Sequence, residues 1–128
     1  MPTSPTARSL AFLRKHGWTA AVTERWNPYA KIRQDLFGFV DILAIRADHW
    51  GVLAIQATTF ENRIARLHKI CGEPRAETWV AAGNEVEIWG WKKIRKTGKW
   101  ELTVVKVGPR QSINLPQARL TSTSTPAK

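Results

Sequence analysis

The chain has 128 residues, enough for one domain with a modest core. Its 20 Lys and Arg against 10 Asp and Glu give a formal charge of +10 at pH 7, which calls for a polyanionic partner, either nucleic acid or an anionic membrane surface. The single cysteine, Cys71, excludes an internal disulfide and a Cys-rich zinc site.

The first residues lack the apolar core of a signal peptide, and no apolar run approaches the ~18 residues of a membrane span. The expectation is a soluble, cytoplasmic protein with no membrane partner.

Ser4 followed by Pro5 reads as an N-cap and a proline at the first helical position. The helix so opened carries Ala7, Leu10, Ala11 and Leu13 at helical spacing and ends at His16, with Gly17 as its stop. Residues 18–26 lean towards a strand, closed by Asn27 and Pro28, and residues 29–35 are polar and basic. Residues 37–59 read as two apolar strands around a short polar turn. Thr58, Thr59, Phe60 and Glu61 fit a capping box, with Thr58 at the cap, opening a helix to about Ile70. Phe60, Ile64 and Leu67 form its apolar stripe, and Arg63, Arg66 and Lys69 a cationic one. Gly72 to Pro74 break it, and residues 77–82 form a second helical piece stopped by Gly83 and Asn84. Residues 85–92 and 100–107 pair as strands around a turn at Thr97 and Gly98. The folded domain spans residues 1–108. Residues 109–128, with three prolines and a Thr-Ser-Thr-Ser-Thr run, read as a partly disordered C-terminal tail.

Two polar residues interrupt the most apolar hairpin, Asp41 in its first strand and Gln56 in its second. If the turn centres between Asp48 and His49, they sit directly opposite one another, about 5 Å apart at Cβ. Gln56 and Thr58 then share one face, and Leu53, Ile55 and Ala57 the other. A carboxylate beside an amide oxygen suits a hard cation such as Mg²⁺. The plainer alternative is that Asp41 bonds a nearby backbone group or an Arg, with Gln56 paired to it.

The element order is helix, three strands, helix, two strands: an α/β domain with a mixed sheet flanked by helices. With an Asp in the second strand and a polar-x-polar triplet in the third, residues 7–91 resemble the PD-(D/E)XK nuclease superfamily. The likeness leans towards archaeal Holliday-junction resolvases and phage or restriction-type relatives. It implies the restriction-endonuclease-like fold, Mg²⁺ or Mn²⁺ as cofactor, hydrolysis of phosphodiesters in DNA, branched or structured, and a homodimer. Carried onto this chain, Asp41 is a metal ligand and Gln56 stands for the ligating acid. Ala57 lends its backbone carbonyl, and Glu24 is the assisting acid. Val40 replaces the motif's proline. Thr58 stands where the family carries its lysine, a role for which Lys69, Arg63 and Lys31 are the substitutes, Lys69 first. Read from the residues alone, Thr58 caps the next helix, Glu24 pairs with Arg33 or Arg25, and Asp35 is a ligand or a turn former, the turn first.

Residues 91–100 hold five cations and no acid, with a Trp at each end. Lys92, Lys93, Arg95, Lys96 and Lys99, with Lys31, Arg33, Arg63 and Arg66, are the expected backbone contacts to nucleic acid. Trp89, Trp91 and Trp100 serve packing or base stacking, with at least one in the core. His16, His49 and His68 lack ligand spacing, and His49 is expected to be simply exposed. Two alternatives stand beside a nuclease: a weakened nuclease fold that binds DNA without cutting, and a basic RNA-binding module.

Overall fold

The computed structural model describes residues 3–108; the tail expected at residues 109–128 lies outside them. Helix α1 (Pro5–Lys15) is followed by β1 (Thr19–Val22), a short hairpin of β2 (Arg25–Asn27) and β3 (Ile32–Gln34), then β4 (Ile42–Arg46) and β5 (His49–Thr59). A 3-10 turn (Phe60–Asn62) leads into α2 (Arg63–Cys71) and α3 (Pro74–Ala81), followed by β6 (Glu85–Lys93) and β7 (Trp100–Val107), the last element among the described residues. Five strands form a mixed sheet in the order β1-β4-β5-β6-β7, with β5 and β6 parallel and the other neighbours antiparallel. Parallel neighbours need a long crossover, and α2 with α3 supplies it. The fold is thus mixed α/β, a five-stranded sheet flanked by helices.

The first helix begins as its sequence dictates. Ser4 Oγ accepts from the Ala7 N–H at 3.1 Å, and Gly17 takes φ +87° after the last turn. Its inner face differs from the expected stripe: Ser9 and Leu13 are buried, whereas Ala7 and Ala11 are exposed. Ser9 goes inside because its hydroxyl accepts the Trp91 indole N–H at 2.8 Å, which satisfies both buried groups. Leu13 packs with Ile42, Ala44, Leu53, Ile55, Trp89 and Trp91 on this face of the sheet. Full burial of such a leucine contributes about 2 kcal/mol. On the opposite face, Ala54, Val86 and Ile88 meet Phe39, Ile70 and Ala76 under α2 and α3.

Three expectations need correction. The strand foreseen over residues 18–26 splits at Thr23, and the basic stretch after it contains β3, so a separate two-stranded ribbon projects between β1 and β4. The capping box does not form. Thr58 stays in β5, paired with Gly90, because the parallel ladder with β6 continues to Thr59 and Trp91, and no side chain caps the 3-10 turn. On α2, Ile64 is exposed while Arg63 and Arg66 are half-buried, so the inward face runs through Leu67 and Ile70.

The β4–β5 hairpin turns at Ala47 and Asp48, and Arg46 pairs with His49. A bulge then restores the expected register, with Ile42 opposite Ile55. Gly51 makes the bulge possible. It takes φ +82°, and a Cβ there would collide with the Gly83 carbonyl.

Candidate metal centre and nucleic-acid interface

Asp41 lies just beyond the β4–β5 ladder, on the sheet face covered by α2 and α3. Its N–H donates to the Ile55 carbonyl at 2.9 Å, so the backbone slips here and Asp41 stands beside Gln56 rather than squarely opposite. The side chains still meet. Gln56 Nε2 donates to Asp41 Oδ2 at 3.2 Å, and the Ala57 N–H donates to the same oxygen at 2.8 Å. Asp41 is 4% exposed and Gln56 1%.

Two further acids complete the cluster. Leu36 and Val40 bond to one another across the turn at residues 37–39, by N–H to carbonyl at 3.0 Å and 2.9 Å. That bridge sets Asp35 and Asp41 side by side. The turn runs through left-handed backbone at Phe37 (φ 56°) and Gly38 (φ 82°). Glu24, at the start of the β2–β3 ribbon, closes the group: carboxylate oxygens of Glu24, Asp35 and Asp41 lie within 4.8 Å of one another. Gln56 Nε2 also donates to Asp35 Oδ2 at 3.0 Å.

The Asp41 carboxyl is pushed up to about 7. Burial is the main cause, followed by a hydrogen bond shared with Asp35; the Ala57 N–H pulls the other way, the Asp35 charge raises it further, and the Gln56 amide lowers it. Crowded carboxyls of this kind keep a proton unless a cation replaces it.

The Gln56 amide is satisfied on one side only. Its Oε1 is buried and, among the described residues, has no hydrogen-bond partner. Turning the amide over would aim Oε1 at the Asp35 and Asp41 oxygens, an acceptor against acceptors. In that turned orientation Oε1 faces the acids, where a cation would satisfy it. The donor set is all oxygen: three carboxylates and an amide. Its chemistry fits a hard divalent cation.

The expected site residues therefore come together in part. Asp41, Gln56 and Glu24 meet, and Ala57 joins them through its amide; its carbonyl leaves the strand towards the same edge. Glu24 also pairs with Arg33, Oε2 to Nη1 at 3.3 Å, so both readings of that acid hold. Asp35, read as a turn former, is a full member. The signal that could have revealed it was its distance from Asp41, six residues around a Gly-containing turn. Lys69 does not join. It sits in the last turn of α2, where its charge acts on Glu73, and the one charge that shifts Asp41 is that of Asp35. Thr58 is buried.

Two of the expected cationic groups converge. Arg63 lies 3.7 Å and Lys92 5.0 Å from the Phe60 ring, joining the helix stripe to the β6–β7 tip. Gly90 permits this, because a Cβ there would press within 3.2 Å of Phe60 Cα. Arg66 is half-buried on α2, and Lys93, Arg95, Lys96 and Lys99 are exposed around the tip. Lys31 and Arg33 are exposed on the β2–β3 ribbon. Trp89 and Trp91 are core, while Trp100 is exposed and covered by the Arg8 guanidinium at 3.7 Å. His49, expected to be simply exposed, is half-buried and bonds Glu85 at 2.9 Å.

No helix among the described residues is long and apolar enough to cross a membrane. The chain matches no protein-family model, no curated protein and no solved structure.

Proposed function

We propose that the protein is a metal-dependent nuclease of the PD-(D/E)XK type, with a restriction-endonuclease-like sheet, acting on DNA. The observation that carries this reading is the cluster of half-buried Glu24 and Asp35 with buried Asp41 and Gln56, in which the Gln56 amide oxygen has no hydrogen-bond partner among the described residues. A divalent cation held there supplies positive charge against a phosphodiester and makes a water more acidic. Asp41, fixed by the Ala57 N–H, and Asp35, fixed by the Leu36–Val40 bridge, hold the cation; Glu24 and Gln56 complete its shell. Arg33, exposed beside Glu24, orients the phosphate, and Arg63 and Lys92 grip the backbone on the same sheet face.

A second reading, a nuclease fold that binds DNA without cutting, is favoured by one observation. Thr58 stands where the family carries its lysine, and among the described residues no cation shifts Asp41 in its place. Plasmid and four-way-junction DNA incubated with Mg²⁺ or Mn²⁺ separate the two. The nuclease reading expects metal-dependent cleavage that Asp41→Ala abolishes. Tight binding without cleavage under either metal would establish the second reading, and cleavage that survives Asp41→Ala would remove Asp41 from the site.

A further inference from the structure

The β2–β3 hairpin is not among the expected elements, although β2 begins within the strand expected over residues 18–26, and its surface is aromatic and basic. Trp26 is 55% exposed and Tyr29 96%. Residues 25–34 carry Arg25, Lys31 and Arg33 and no acid. The tip is held rigid by Asn27, whose Oδ1 accepts the N–H groups of Tyr29 and Ala30 at 3.0 and 3.1 Å and whose carbonyl accepts the Lys31 N–H at 2.7 Å.

The ribbon's register decides what lies next to what. Trp26 pairs with Arg33, so both point to one face. Side chains two residues along a strand return to the same face. Glu24 and Asp35 therefore share the face of Trp26 and Arg33, as the Glu24–Arg33 contact bears out. Along that face the order is acids, then a guanidinium with an indole, the two steps about 7 Å apart.

We propose that this ribbon is a base-stacking arm: Trp26 stacks the nucleotide next to the phosphate held at the acid cluster, and the substrate is nucleic acid with an unpaired strand at the site. The inference rests on the nuclease reading and adds the substrate class to it. An indole face needs an uncovered base face. In a duplex each base is covered by its neighbours, whereas a single strand or a flipped nucleotide offers one freely. Arg25, Lys31 and Arg33 follow the backbone by charge and carry no sequence preference. The same aromatic and basic composition would serve a protein or lipid partner. Continuity with the acid cluster, where a bound cation would hold a phosphate, favours nucleic acid.

Fluorescence anisotropy of a labelled single-stranded thymidylate oligomer, and of a blunt duplex of equal length, tests this in EDTA. Trp26→Ala weakens single-strand binding by roughly 5- to 150-fold, the range for one stacked base, while Trp26→Phe keeps most of it and duplex binding is unchanged. Trp26 is exposed, and circular dichroism checks that the variants stay folded. Equal single-strand affinity in wild type and Trp26→Ala overturns the arm, as does an equal loss on duplex. So does Trp26-dependent binding of phosphatidylserine vesicles without any effect on the oligomer. If the wild type binds neither nucleic acid in EDTA nor with Mg²⁺ added, the nuclease reading falls with the arm. If it binds but does not cut when metal is added, the arm stands and only the hydrolytic reading fails.

Discussion

Asp35 and Asp41 stand side by side because Leu36 and Val40 bond across the turn between them. Two carboxyls pressed together in a buried site hold a proton, and burial with the Asp35 contact raises Asp41 to about 7. In the unfolded chain an aspartate titrates near ~3.9. Between these values the folded state binds more protons than the unfolded one, so stability falls as pH rises. The contribution is complete below about pH 4 and is lost as pH climbs through 7, by at most about 1.4 kcal/mol per unit. Urea unfolding in EDTA at pH 5 and pH 8 reads this slope. Asp35→Asn flattens it by removing the neighbouring charge.

Gly38 lets the turn close. It has φ +82°, and a Cβ there would sit 3.2 Å from Arg75 Nη2 and 3.3 Å from Glu73 Oε1. Those atoms end flexible side chains, so backbone strain dominates. Gly38→Ala therefore destabilises the fold by about 1–2 kcal/mol. It also loosens the Asp35–Asp41 pair and weakens Mn²⁺ binding, measured by thermal melts with and without the metal.

Gln56 separates the stability of the empty site from its affinity for metal. Gln56→Leu removes the unpartnered oxygen and also the two hydrogen bonds to Asp35 and Asp41, so metal-free stability falls by about 1–3 kcal/mol while the Mn²⁺-dependent rise in Tm shrinks. Gln56→Glu adds a fourth carboxyl to a crowded site. It lowers metal-free stability above pH 7 by about 1–3 kcal/mol and enlarges the rise in Tm on adding Mn²⁺. Differential scanning fluorimetry measures all these changes.

Much of the framework was legible in local patterns. Ser4 with Pro5, the Gly83–Asn84 stop and the alternation of residues 85–107 each announce one element. The β4–β5 register was legible near the site because its alternation is strong, although the bulge at Gly51 moved the turn. What escaped depends on tertiary pairing. Thr58 reads as a cap, but the β6 ladder claims it, an outcome that depends on a strand far along the chain. The β2–β3 ribbon has a single apolar residue on each face, Trp26 and Ile32, so hydrophobic periodicity gives it little signal. Glu24 joins the site through that ribbon, so its placement could not be read from spacing, whereas Asp35 lies six residues from Asp41 around a short turn and was within reach of it.

Arg63 and Lys92 flank Phe60 from different elements. The double variant Arg63→Ala, Lys92→Ala weakens binding to duplexes of unrelated sequence about equally. It also reduces the slope of log affinity against log salt by about two, one for each lost phosphate contact. Salt titrations of wild type and variant, followed by anisotropy, measure both effects.

The central claim is that Glu24, Asp35, Asp41 and Gln56 hold a divalent cation, and electron paramagnetic resonance of Mn²⁺ titrated into the purified protein at pH 8 tests it most directly. The account predicts saturable binding of Mn²⁺ to the wild type, with loss of that binding in Asp41→Ala. A wild type that binds no Mn²⁺, or an Asp41→Ala variant that binds it equally well, would contradict the account.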